Sequence, residues 1–288
     1  MIAIEQLRYV VLGTRDLAEA ARFAQDLLGL QPVDRNAERA TFRSDDRDFT
    51  LALQAGDPDS QAVGFEARHT DTLALAHDML RERKLPVGHG TPDQCEARKV
   101  KALLWFNDHS GNRIELVVRP MNSGWRYFPS RDAGITGLDG VVLRSTAIEQ
   151  DEALWTGLLD AHVSDRVGDA SYLRIDGAHH RVMLVPAPRA GVLAVEYAVE
   201  NVNLLMRNYY VLQNRQIRIM HGPGRRPASE QLFVTFTGPD DVLYSFVSEG
   251  IPGPGADHRP RQFPAGPAGL CAWGSENRIE EFAAGVAS

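Results

Sequence analysis

Only two cysteines, Cys95 and Cys271, occur in 288 residues, and they form no Cys-x-x-Cys pair. That excludes a disulfide framework and leads us to expect reduced thiols in a cytoplasmic setting. No apolar run reaches ten residues; a spanning helix needs roughly 20, so no membrane partner is expected. Positive charge is also scarce: 31 Lys and Arg stand against 38 Asp and Glu, a net charge of −7. Phosphate binding needs a basic face, so nucleic acid is not an expected partner. The opening segment MIAIEQLRYVVLG has neither a basic stretch nor a small-residue cleavage site, so no secretory signal is expected. What remains is ordinary for a globular chain, with 43% hydrophobic and 24% charged residues. The length allows one large domain or two modest ones.

The informative feature is internal repetition. LRYVVL (7–12) matches LDGVVL (138–143), and each precedes a polar stretch and a helical pattern. In the first copy Leu17, Ala20, Ala21, Ala24, Leu27 and Leu28 share one helix face; in the second, Leu154, Leu158 and Leu159 do so. AVGFEARHTDTLALAHDML (62–80) matches AVEYAVENVNLLMRNYYVL (194–212), and DHSGNRIELVV (108–118) matches GPDDVLYSFVS (238–248). Tyr9 thereby pairs with Gly140, Ala62 with Ala194 and Glu115 with Ser245, at offsets of 131, 132 and 130 residues. The chain therefore reads as two homologous halves, each of two β-α-β-β-β units. The predicted domains are 1–120 and 138–250, joined by a turn-rich linker at 121–137. A Pro/Gly-rich tail at 251–288 is expected to pack on the surface, anchored near Leu270–Trp273.

Four marks in order carry a family resemblance: YFPSRDAGITGLDGVVL (127–143), YLRIDGAHHRVML (172–184), HGPGRRPASEQLFVTFTGPDDVLYSF (221–246) and Trp273-Gly274. With these the chain resembles the two-domain type I extradiol dioxygenases of the vicinal-oxygen-chelate (glyoxalase/bleomycin resistance) superfamily over nearly its whole length. The resemblance implies an α+β fold of four βαβββ modules in two barrel-like domains. It also implies a homo-oligomer and a setting in aromatic catabolism. In the family, the C-terminal cup holds Fe(II) through two His and one Glu, which leaves positions for a catecholate and O₂.

Carried over residue by residue, those ligand positions fall on Gly140, Ala194 and Ser245. Glycine and alanine have no donor, and a serine hydroxyl is a poor Fe(II) ligand, so no metal and no other cofactor is expected. The N-terminal counterparts, Tyr9, Ala62 and Glu115, supply one phenol and one carboxylate. His180 is the family pocket residue that persists, and Tyr172 keeps an aromatic at a wall position. The family's His, Asp and Tyr at three further pocket positions become Arg226, Ser229 and Thr235.

Strand alternation points a new polar set into the C-terminal cup: Arg144, His180, Glu196 and Arg226, beside Tyr172, Phe233 and Ser245. His179-His180 could be a catalytic pair in which His180 shuttles protons, or one surface and one satisfied core histidine. Glu196 could act as a general base, or it could simply pair with Arg226 or Arg144. Arg225-Arg226 could clamp a carboxylate, or form a solvated loop pair. Glu115 is expected to be half-buried, beside Arg8 or Arg43.

Two functions follow. One is a metal-independent acid–base enzyme, with His180 and Glu196 catalytic and with Arg144, Tyr172, Arg226, Phe233 and Ser245 binding a small aromatic-derived or carboxylated metabolite. The other is a binding protein that performs no chemistry. Iron-dependent catechol cleavage, the family's usual activity, stands as a third reading and would need ligands outside the carried-over positions.

Overall fold

A computed structural model describes residues 1–255 and 257–282. Its order of elements repeats one unit four times. The first is β1 (Ile4–Thr14), α1 (Leu17–Arg22, continued by a π-helical turn Phe23–Leu28), β2 (Gln31–Arg35), β3 (Arg39–Arg43) and β4 (Leu51–Ala55). The second is β5 (Gln61–Ala67), α2 (Thr70–Glu82), β6 (Val87–His89), a short α3 (Pro92–Arg98), β7 (Val100–Asn107) and β8 (Arg113–Pro120). The third is β9 (Ile135–Ser145), α4 (Ile148–Gly157), β10 (His162–Val167), β11 (Ala170–Arg174) and β12 (Val182–Pro186). The fourth is β13 (Gly191–Val199), α5 (Val202–Asn214), β14 (Ile219–Arg225), β15 (Leu232–Thr237) and β16 (Leu243–Ser248). The fold is thus α+β with four βαβββ modules, as the repeat implied.

Polar caps start the helices where the pattern turns from alternation to 3–4 spacing. Asp16 accepts from the Glu19 N–H at 2.8 Å, and Asn201 from the Leu204 N–H at 3.1 Å. α2 buries Leu73, Ala76 and Leu80, and α5 buries Leu205, Asn208 and Leu212 at the same spacing. Duplicated sequence therefore becomes duplicated packing.

Modules pair through their first strands. One sheet has the order β2-β3-β4-β1-β5-β8-β7-β6. The other runs β14-β15-β16-β13-β9-β12-β11-β10 and is extended by β17 (Arg261–Phe263), which lies parallel to β10. The tail thus adds an edge strand to the second sheet. Beyond it, α6 (Pro267–Leu270) ends on buried Leu270 and Cys271, while Trp273 stays exposed. The two sheets share one apolar core: Phe65 meets Trp155 edge-on at 5.1 Å, and Phe23 lies 5.0 Å from Tyr244.

Candidate functional site

Val142, Tyr172, Met183, Ala194, His221, Phe233 and Ser245 come from seven different strands of the second sheet, yet they line one cavity. The sheet must therefore curve into a cup. Glu196 faces the same cavity as Ala194, as alternation along β13 requires. Leu193 lines it too, because the pairing of β13 with β9 slips between Val192 and Ala194.

Glu196 sits opposite Gly140 on one side and Ser245 on the other. Its carboxylate occupies the space that a side chain at 140 would need: a Cβ there would meet Glu196 Oε2 at 3.2 Å and the Arg181 carbonyl oxygen at 3.3 Å. Ser245 Oγ is engaged with Thr235 Oγ1 at 2.8 Å. A Gly140→Val substitution should therefore destabilise by about 1–3 kcal/mol through overpacking, measured by denaturant titration. A neutral result would mean that the carboxylate has room to move.

The guanidinium of Arg226 forks onto Glu196. Nη2 donates to Oε1, and Nη1 to Oε2 at 3.2 Å. Nη1 also donates to Gln231 Oε1, and Gln231 Nε2 donates to Asp139 Oδ2 at 2.8 Å. The Arg226 Cζ lies 5.2 Å from the centre of the Phe233 ring. Arg226 and Glu196 are both buried, at 7% and 1% exposure, so the pair is held in a medium where each charge depends on the other. Burial disfavours the guanidinium charge, but Glu196 outweighs it and raises the Arg226 pKa.

His180 stands behind this pair rather than on the cavity wall. Its Nε2 is 3.4 Å from Arg226 Nη1 and 4.0 Å from Glu196 Oε2, and its ring meets Tyr172 edge-on at 4.8 Å. His179, expected at the surface, is buried as well, and its Nδ1 lies 3.2 Å from His180 Nδ1. His179 Nε2 lies 2.9 Å from Asp165 Oδ2, and Asp165 is gripped by Arg261 at 2.6 Å. These partners assign the protons. Asp165 accepts from His179 Nε2–H, His179 Nδ1 accepts from His180 Nδ1–H, and His180 Nε2 is left as an acceptor facing Arg226. Burial opposes the Asp165 charge, but hydrogen bonds from Arg261 and His179 outweigh it and keep its carboxyl below the usual range. Burial, then the positive field of Arg226, pushes His180 well below an ordinary histidine pKa. His180 is therefore a neutral base with one lone pair turned toward the guanidinium.

The other expected positions are placed as follows. Tyr172, Phe233, Arg226, Glu196 and Ser245 line the cavity. Arg144 is buried at the mouth instead, where its Nη1 donates to the Val192 carbonyl oxygen at 3.0 Å and its Nε to Glu281 at 2.5 Å. Arg225 is half-buried and paired with Glu230. Burial pushes the Tyr172 phenol up to about 12, partly offset by Arg226.

Three polar residues around the Arg226–Glu196 pair were not singled out from the sequence: Asp165, His221 and Gln231. His221 lines the cavity with its ring edge-on to Phe233 at 4.7 Å, and its Nε2 has no partner among the described residues. Burial, with Arg226 adding to it, lowers His221 to about 4. Only its place in an alternating strand, Ile219–Arg225, could have pointed to it.

The first sheet repeats the central pairing. Glu115 is buried rather than half-buried, and its partners are not Arg8 or Arg43. Arg98 forks onto it at 2.9 and 3.2 Å, Arg113 donates at 3.1 Å and the Tyr9 hydroxyl at 2.7 Å. Each half thus carries a buried glutamate gripped by an arginine. Among the described residues no group of three or more His, Cys, Asp or Glu side chains is arranged to hold a metal ion.

Comparison with known proteins gives the relationship. Residues 6–116 match the model of the Glyoxalase/Bleomycin resistance protein/Dioxygenase superfamily. Biphenyl-2,3-diol 1,2-dioxygenase of Pseudomonas sp. (strain KKS102) is 26% identical over 65% of this chain and 69% of its own length. An iron-dependent extradiol dioxygenase of Rhodococcus jostii (strain RHA1) is 25% identical over 69% of this chain and 74% of its own. By fold, the Mn(II)-bound glyoxalase from Novosphingobium aromaticivorans superposes with a TM-score of 0.86 over 98% of this chain and 94% of its own, at 22% identity. Residues 6–116 therefore match the domain of the Glyoxalase/Bleomycin resistance protein/Dioxygenase superfamily, and over about two thirds of its length the chain is similar in sequence to extradiol dioxygenases.

Proposed function

We propose that this protein is a metal-independent acid–base enzyme that handles a small aromatic-derived or carboxylated metabolite in the C-terminal cup. One observation carries the proposal. Where the family resemblance places three metal ligands, this chain has Gly140, Ala194 and Ser245, and Glu196, forked by Arg226, lies between Gly140 and Ser245 in the sheet register. A facial Fe(II) site needs about three good donors. Here glycine and alanine offer none, the serine hydroxyl is engaged with Thr235, and the Glu196 carboxylate is engaged by Arg226. The donor set does not fit iron.

The chemistry open to these groups is proton transfer beside a fixed cation. An anionic oxygen or enolate of the substrate would compete with Glu196 for Arg226 and be stabilised there. Glu196, once released, would take a proton from the substrate and give it back at another substrate atom, and His180 Nε2, a neutral acceptor within 4.0 Å of it, would hold that proton in between. Asp165 and His179 would hold the His180 tautomer. In the same proposal residues 1–120 and 138–250 act as two domains joined by 121–137, with 251–288 packing as a tail, and the protein works as a cytoplasmic homo-oligomer.

Turnover screened over aromatic acids, enols and lactones should fall at least about a hundredfold in both His180→Ala and Glu196→Gln. Full activity in both variants would remove the acid–base reading. A second reading is binding without chemistry, in which Gly140, Ala194 and Ser245 only make room for a ligand. Tight binding with the ligand recovered unchanged would support that reading. Yellow ring-fission product from 2,3-dihydroxybiphenyl after anaerobic loading with Fe(II) would instead support the activity named for the relatives.

A further inference from the structure

The cup is small because the chain's own C-terminal segment fills it. Leu270, Ile279 and Phe282 close the 30 Å³ cavity against Tyr172, Glu196 and Arg226. Just outside lies a groove of about 820 Å³ that shares Leu193, Leu243 and Ile279 with the cavity wall. Arg144 and Glu281 meet at the boundary: Glu281 Oε1 accepts from Arg144 Nε at 2.5 Å, and the pair is largely shielded from solvent. Phe282, the next residue, packs on the apolar wall of the cup that includes Tyr172, Val142 and Ala194. Two adjacent residues thus place a carboxylate on the mouth arginine and an aromatic ring in the cup.

We infer that the natural ligand is an aromatic carboxylate whose carboxylate binds Arg144 and whose ring takes the place of Phe282, with Glu281-Phe282 as its intramolecular stand-in. The inference rests on the proposed use of the cup and names its substrate class. Two observations support it besides the pairing itself. Arg144 is anchored through Nη1 to the Val192 carbonyl, so its guanidinium is presented rigidly. The groove is also of the size that small-molecule sites occupy, whereas the closed cavity is not.

A ligand of this class must displace the segment, so its apparent affinity carries the cost of opening. Equilibrium binding of benzoate and phenylacetate, at constant ionic strength and with benzamide as the neutral control, tests this on the full chain. Glu281→Gln and Phe282→Ala should each tighten the carboxylates about tenfold, and benzamide, which has no charge for Arg144, should bind at least about tenfold more weakly than benzoate in every variant that keeps Arg144. Arg144→Met should abolish carboxylate binding. Arg144→Lys, which keeps the charge and lowers the risk of misfolding, should weaken it at least about tenfold. Unchanged affinity in Glu281→Gln and Phe282→Ala, or full carboxylate binding by Arg144→Met, would overturn the inference. Binding needs no turnover, so loss of activity with intact binding in Glu196→Gln bears on the acid–base reading alone.

Discussion

Arg226→Met should destabilise the protein by about 3–5 kcal/mol, the cost of leaving a buried carboxylate without its partner. The methionine replaces most of the apolar stem that lies against Phe233, so packing alone would account for little of that loss. Glu196 would be left buried with its one fork removed, since the Ser245 hydroxyl beside it is already engaged with Thr235. The double variant Arg226→Met, Glu196→Met should recover most of the stability, because two apolar side chains can fill the space of a buried ion pair at little cost. Urea titrations of the wild type, both single variants and the double variant give the coupling directly. A loss below 1 kcal/mol in Arg226→Met would mean that the pair is hydrated and that the centre of the cup is open.

The second large effect concerns acid. His221 and His180 are both buried and both hold their pKa below that of a free histidine, His221 at about 4. In the folded state they stay neutral where the unfolded chain binds protons. Between the unfolded value near 6.5 and about 4 the unfolded state therefore binds more protons, and stability falls as pH falls. The contribution is fully present above about pH 6.5 and is lost progressively toward pH 4. His221 alone accounts for about 3 kcal/mol over that window, at 1.36 kcal/mol per unit. His180 adds a loss of the same sign. His221→Phe should flatten this limb, because phenylalanine keeps the contact with Phe233 and carries no titrating group. An unchanged slope between pH 6.5 and 4 in His221→Phe would place the acid sensitivity elsewhere.

The fold was legible because duplication doubles every signal. Leu73, Ala76 and Leu80 in one half answer Leu205, Asn208 and Leu212 in the other, so the module could be read twice. Alternation likewise aimed Glu196, Phe233 and Ser245 into the cup. It reached no further where the backbone slips. Leu193 enters the cavity beside Ala194 because of the irregular pairing of β13 and β9. Asp165 was missed because its role depends on its contact with His179, between β10 and the loop before β12, which spacing along one strand does not encode. Glu281 and Phe282 were missed for a related reason: a Pro/Gly-rich tail reads as a surface wrapping, and only the folded chain shows it turning back onto Arg144.

The central claim is that an arginine–glutamate fork, not a metal ion, organises the C-terminal cup. It is tested most directly by incubating the purified protein anaerobically with Fe(II) and, separately, Mn(II), removing free ions and counting metal per chain by mass spectrometry. We predict well under one ion per chain and no difference between the wild type and Glu196→Ala. One ion retained per chain, and lost in Glu196→Ala, would contradict the account.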